Sequence, residues 1–292
     1  MKNQDNLQRF LFEDTAIRGN LVHLQNAVQH ALEHQQLPPM LHEALAELMV
    51  ASVLLASTLK MQGALILQVQ GKGALKLLVV ECTSQLNVRA TAKWQGEITN
   101  DHFIHLLKDG QFVITLDPKD GHQAYQGIVP IEGNSIAEIL QNYMQRSEQI
   151  ETKIWLSYKE GMAAGMLLQK LPAQLEEDED AWNRITHLAN TLTHEELLSL
   201  ENETLLHRLF HEENVRLFEQ QPVHFACSCS RQNVGNMLRM LGREEIEQIL
   251  AEQNVISVNC DFCNRGYIFD AVDAAELIAT EATAMPKSEN KH

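Results

Sequence analysis

The hydrophobic pattern changes period several times along the chain, and each change marks an expected element. From Leu21 to Glu33 apolar residues recur at helical spacing. "LPPMLHEALAELMVASVLLASTL" follows, with Pro39 near a helix start, where its missing N–H costs least. Two early helices are expected. The pattern then shortens to alternation: "ALILQVQGKGALKLLVVECTS" and "QLNVRATAKWQG" carry β-branched residues, Gly71 and Gly73 mark the turn, and the stretch reads as a meander. Further strands are expected at "GQFVITLDP", at "AYQGIVPI" and within "TKIWLSYKEGMAAGMLLQKLP", where Ile154, Leu156 and Tyr158 share one side of an extended chain. Between them Ser135, with Glu138 three residues on, opens the helix "SIAEILQNYMQRSEQ". Strands clustered around a few helices predict an α+β fold for residues 1–173, a mixed sheet-and-helix domain with a mostly antiparallel sheet.

At Pro172 the character shifts. Between Gln174 and Gln221 twelve acidic residues stand against Arg184, Arg208 and Arg216, so −9 of the formal charge of −16 sits in this stretch. Thr193 and Glu196 make a capping-box pattern and leucines recur at helical spacing, which predicts amphipathic helices over 174–221. Short helices draw their stability from packing, and these repel one another, so the segment reads as an easily melted acidic linker with a solvated face. A small C-terminal domain, 222–280, follows. It has a helix over "RQNVGNMLRML", a stop at Gly242, a helix over "REEIEQILAEQ" and a hairpin at "ISVNCDFCNRGYIFD". Residues 281–292 read as a disordered tail.

Charge and composition remove several function classes. An acidic chain opposes nucleic acid and anionic membrane. The longest uncharged run, Leu48 to Leu59, suits a buried helix better than a bilayer span. The N-terminus "MKNQDNLQRFLFEDT" lacks the apolar run of a secretory signal, so a cytoplasmic location is expected. No serine sits in a nucleophile turn and "GKGALK" lacks the Walker pattern, so no enzyme is expected.

The candidate chemistry is sulfur. Four of the five cysteines lie near the C-terminus, as Cys227-x-Cys229 and Cys260-x-x-Cys263. In a reducing cytosol such clusters are metal ligands or redox groups. Four thiolates are the number and type that close a tetrahedral zinc site with no position left for water, which argues for structure and against hydrolysis. Structural zinc contributes about 10–16 kcal/mol of apparent binding energy, enough to hold a module whose own helices bury little. A thiolate is also the form that oxidants attack, so oxidation expels the metal. Each local pair can then bridge, the C-x-C pair under more strain.

Spacing alone favours an inert zinc clasp over a switch. An iron–sulfur site, or His224 in place of one thiolate, stays open at this point. Cys82 ends an apolar strand and reads as a small buried hydrophobe. Three functions fit these residues: a binding protein switched by oxidation, a zinc-ribbon nucleic-acid binder, and a dithiol oxidoreductase using Cys260 and Cys263. The acidic module opposes the second, and the third requires turnover with a small dithiol substrate.

The order of the pieces resembles the redox-regulated 33-kDa heat-shock holdase family, also called the 33-kDa chaperonins. The likeness runs through "RFLFEDTAIRG", "LAELMVASVLLASTLK", "YQGIVPIEG", "MQRSEQI", "GMLLQKLPAQ", "LLHRLFHEE" and the terminal "CSCSR…CDFCNRGYIFD". The resemblance implies an ATP-independent chaperone that binds unfolding client proteins, inactive when reduced and zinc-bound and activated by oxidative stress. It makes Cys227, Cys229, Cys260 and Cys263 ligands of one zinc ion when reduced. When oxidised they form the disulfides Cys227–Cys229 and Cys260–Cys263. It further implies that the acidic linker packs on the N-terminal domain at rest and unfolds on oxidation, and that the oxidised form is a homodimer.

Overall fold

A computed structural model describes residues 5–284 apart from 34, 36, 99–105, 108–109, 120–121, 173–177 and 179, with side chains described as far as 277. The helix α2 (Pro39–Ala56), which follows α1 (Asn26–Glu33), dictates the fold around it. Thirteen of its eighteen residues are buried, so it needs cover on more than one side. Two sheets provide this cover. One has the order β10-β1-β2-β9-β8, from β1 (Asn6–Phe12), β2 (Ile17–Leu24), β8 (Thr152–Lys159), β9 (Met162–Lys170) and β10 (Val215–Pro222). The other has the order β11-β5-β4-β3-β6-β7, from β3 (Gly63–Gln70), β4 (Leu75–Thr83), β5 (Asn87–Trp94), β6 (Gln111–Pro118), β7 (Tyr125–Val129) and β11 (His224–Phe225). Every pair is antiparallel except β11 with β5. The fold class is therefore α+β as expected, with two sheets rather than one.

Local chemistry explains the close packing. A Cβ at Gly165 would lie 2.5 Å from Val50 Cγ1, so only glycine lets β9 approach α2 this closely. Glu160 and Gly161 both take positive φ, 49° and 83°, and close the β8–β9 hairpin in two residues. The Asp5 carboxylate accepts N–H bonds from Gln25, Asn26 and Ala27 and so caps α1 from a distant part of the chain. Ser135 accepts from the Glu138 amide and opens α3 (Ile136–Arg146).

Two expectations for the N-terminal region fail. Leu21 to Leu24 belong to β2, not to a helix, and β1 was not foreseen. Both faces of β2 are largely buried, so its apolar residues run together instead of alternating. The helix expected over the later part of that stretch is α1.

The acidic linker is built into the first unit, which comprises residues 1–226. Its described helices are α4 (Ala181–Ala189), α5 (His194–Ser199) and α6 (Asn202–Phe210); the expected boundary at 173–174 lies outside the described residues. They lay Ile185, Leu197, Leu205, Leu209 and Phe210 on Phe10, Phe12, Leu21, Met166 and Leu168 of the first sheet. Phe210 meets Phe12 edge-on at 5.1 Å between ring centres. The Thr193–Glu196 capping box is complete. Self-repulsion is partly relieved, because Arg184 pairs with Glu213 at 2.7 Å and Asp178 at 2.8 Å, and Arg208 with Glu196 at 2.7 Å. Two further bonds tie α5 to the sheet. His23 Nε2 donates to the Leu197 carbonyl at 3.0 Å, and the Ser157 hydroxyl hydrogen-bonds His194 Nδ1 at 2.8 Å.

The helix expected to run on through "NVRLF" is instead β10, with Val215 opposite Phe12 and Leu217 opposite Phe10. Two apolar residues spaced by two mark a strand, and β10 covers an edge of the sheet that β1 would otherwise leave unpaired.

The second unit begins at Cys227. It contains α7 (Arg231–Arg239), α8 (Arg243–Gln253), the hairpin β12 (Ile256–Asn259) and β13 (Gly266–Phe269), and α9 (Ala271–Ala284). Gly242, at φ 85°, separates α7 from α8 as expected. The helix α9 was not foreseen; Asp270 caps it by accepting from the Val272 and Asp273 amides. Residues 281–284, expected to begin the tail, extend this helix, and 285–292 lie outside the described residues. Among the described residues, seven buried ones make the core: Val234, Leu238, Ile246, Ile256, Tyr267, Phe269 and Ala274.

Candidate metal centre

The two cysteine pairs stand on local structures that aim their sulfurs together. Cys227 and Cys229 lie in the loop before α7. Ser230 ends this loop by accepting from the Asn233 amide, and Asn233 Nδ2 donates to the Ser228 carbonyl at 2.9 Å. Cys260 and Cys263 lie in the tight connection of the β12–β13 hairpin. There the Cys260 amide donates to Arg265 O at 3.0 Å and the Asn264 amide to Cys260 O at 2.8 Å. Asn264 takes φ 53°, a left-handed value that asparagine tolerates better than most residues.

All four sulfurs lie within 4.8 Å of one another. The closest pairs run across the two segments, Cys227 to Cys260 at 3.5 Å and Cys229 to Cys263 at 3.4 Å. Zn–S bonds of about 2.3 Å in a tetrahedron set sulfurs about 3.8 Å apart, so this cluster has the dimensions and the donor set for a four-thiolate metal ion. The structure brings together the four cysteines that the sequence singled out. His224 is not part of it: it belongs to β11, where its amide donates to the Leu86 carbonyl.

The four thiols are not equivalent. Burial pushes Cys227 up to about 12. Burial also raises Cys229, but the Tyr267 hydroxyl and the Cys263 and Cys227 thiols outweigh it and hold that thiol at about 7. Cys263 is raised, again first by burial. Cys82 lies apart, wholly buried in the second sheet, and burial followed by the Glu81 charge lifts its thiol to about 12. It is the small core hydrophobe its surroundings in the chain predict. Sequence reasoning missed Tyr267, whose hydroxyl donates to Cys229 Sγ at 3.1 Å. Alternation with Phe269 marks its ring as buried, but nothing in the pattern says where its hydroxyl points.

Comparison with known proteins finds relatives along nearly the whole chain. The family model described as "Hsp33 protein" matches residues 5–270. The chain is 60% identical to a 33 kDa chaperonin of Methylobacillus flagellatus, over the full length of both. It is 49% identical to a 33 kDa chaperonin of Chromobacterium violaceum, with 97% of each covered. The crystal structure of a 33 kDa chaperonin from Thermotoga maritima superposes with a TM-score of 0.84 at 21% identity, covering 96% of this chain and 99% of that one, which shows a shared fold. With two sheets around a buried helix, a clustered set of four thiols and these relatives, the chain belongs to the Hsp33 family of chaperones.

Proposed function

We propose that this chaperone is switched by oxidation of its four clustered thiols, with one zinc ion per chain as the part that oxidation removes. The observation that carries this is the convergence of Cys227, Cys229, Cys260 and Cys263 in a unit with a core of seven buried residues. Bound zinc would tie the two cysteine segments together and add about 10–16 kcal/mol to the folding of that unit.

On oxidation a thiolate attacks a peroxide oxygen, the O–O bond breaks and hydroxide leaves. A second thiolate then attacks that sulfur, displacing a second hydroxide as the S–S bond forms. Two such events consume four thiolates and leave no ligands. The local pairing Cys227–Cys229 and Cys260–Cys263 follows the family resemblance, since the shortest distances run across the segments. Cys82, buried with its thiol up at about 12, takes no part.

Loss of the fold beyond Cys227 then releases residues 174–221, exposing the apolar faces of α4 to α6 and the aromatic surface of Phe10 and Phe12 to unfolding client proteins. Binding needs no ATP and no catalytic step. The net charge of −16 keeps the loaded complex dispersed and turns away nucleic acid and anionic membranes. The setting is the cytoplasm, and the oxidised form is a homodimer.

The test follows zinc release, helicity and suppression of client aggregation in parallel during peroxide treatment, with Cys227→Ser and Cys263→Ser as controls. The three signals should move together. Client protection equal before and after oxidation would end the switch proposal, as would a sample that lost its metal and kept its fold.

A further inference from the structure

The Tyr267 hydroxyl donates to Cys229 Sγ at 3.1 Å, while its ring lies in the core of the second unit, 8% exposed. The Arg265 guanidinium, on the exposed side of the hairpin, acts electrostatically on the same hydroxyl and on Cys229. A hydroxyl has one hydrogen. With that hydrogen spent on sulfur, the oxygen lone pairs are left facing the Arg265 charge, which polarises the O–H toward Cys229. Tyr267 is spaced from Cys263 so that it projects from β13 back to the loop before α7, and it thereby links the two cysteine segments without being a ligand.

Hydrogen bonds to a ligating sulfur draw off the electron density with which it attacks electrophiles, and partners of this kind tune metal sites. We infer that in the zinc-bound cluster, where all four sulfurs are thiolates, Tyr267 is a positioning residue that shields Cys229: its hydroxyl holds the sulfur in the cluster and lowers its reactivity toward electrophiles. This rests on the zinc reading given above and deepens it, because it assigns one sulfur a brake. With peroxide the braked step is formation of the S–O bond at Cys229 as the O–O bond breaks and hydroxide leaves. With an alkylating agent it is formation of the S–C bond as iodide leaves.

The experiment uses full-length reduced protein loaded with zinc, its stoichiometry measured first, and initial rates of iodoacetamide alkylation read at each cysteine by peptide mass. Tyr267→Phe keeps the ring and removes the hydroxyl. Alkylation of Cys229 should rise about fivefold, the weight of one ordinary hydrogen bond, while Cys263 and the thermal midpoint of the zinc-loaded protein stay unchanged. Arg265→Gln leaves the core untouched and should move Cys229 in the same direction by a smaller factor, which keeps the test decisive if Tyr267→Phe loses its zinc. Unchanged Cys229 rates in both variants would overturn the assignment. So would an equal rise at all four cysteines, the mark of a general loosening. A wild-type protein that takes up no zinc would overturn the zinc reading itself, and normal uptake with no change in rates would overturn the shield alone.

Discussion

The two units of this protein reach stability by different means. Residues 1–226 wrap two sheets around a helix that is buried along almost its whole length, and a second apolar cluster fastens the acidic linker to the first sheet. Among the described residues from Cys227 onward there are seven buried core side chains and four convergent sulfurs. Removing one side chain from the first unit leaves a dense core behind. Removing the metal from the second would take away a contribution larger than a whole small domain's net stability. If the proposed zinc site is right, the difference teaches where a chaperone of this design would be switched: in the part whose fold would hang on a reversible ligand and not in the part whose fold hangs on packing.

The largest effect expected is from chelation of a zinc-loaded sample. Residues 227–284 should lose helicity and become open to protease, while the first unit keeps its cooperative thermal transition. Simultaneous loss of both transitions would erase the contrast. Next comes Phe210→Ala, which removes the aromatic contact of α6 with Phe10 and Phe12. A cost of about 3–5 kcal/mol is expected, with hydrogen exchange rising across 181–210 while the second unit stays intact. Client protection by this variant without oxidant would show that linker release is sufficient.

Thr193→Ala should be milder, about 1 kcal/mol, with faster exchange confined to the first turn of α5. The smallest effect is one of pH. Burial holds His23 below its ordinary value, against the opposing pull of the Leu197 carbonyl and of Glu201. The open linker returns His23 to about its ordinary 6.5. Above that pH neither form carries the proton; as pH falls below it, the open form takes up a proton that the docked form resists. Linker docking should therefore weaken on mild acidification, read as faster exchange at α5, and His23→Gln should flatten that slope.

How much of this was legible depended on whether the signal was local. The meander β3 to β5 and the β8–β9 hairpin were legible because alternation and turn residues are set within a few positions. The four-sulfur constellation was legible because thiols are few and metal geometry demands convergence. The strand β10 was not, because its partner β1 lies about two hundred residues away, and β1 was not, although it also pairs with its neighbour β2, because it does not alternate cleanly. Leu21 to Leu24 misled because a strand buried on both sides loses its period of two. Net charge overstated the strain in the linker, since summing charges ignores that Arg184 and Arg208 are placed against carboxylates.

Cys82 sits at 0% exposure in the second sheet, with its thiol lifted to about 12. The native molecule therefore speaks to electrophiles through a single voice. Any sulfhydryl equivalent that disappears while the sheets stay folded has been withdrawn from the C-terminal quartet, and a fifth would surface only after denaturant. Counting sulfhydryls with and without urea thus separates modification of the quartet from unfolding of the sheets in one pair of measurements.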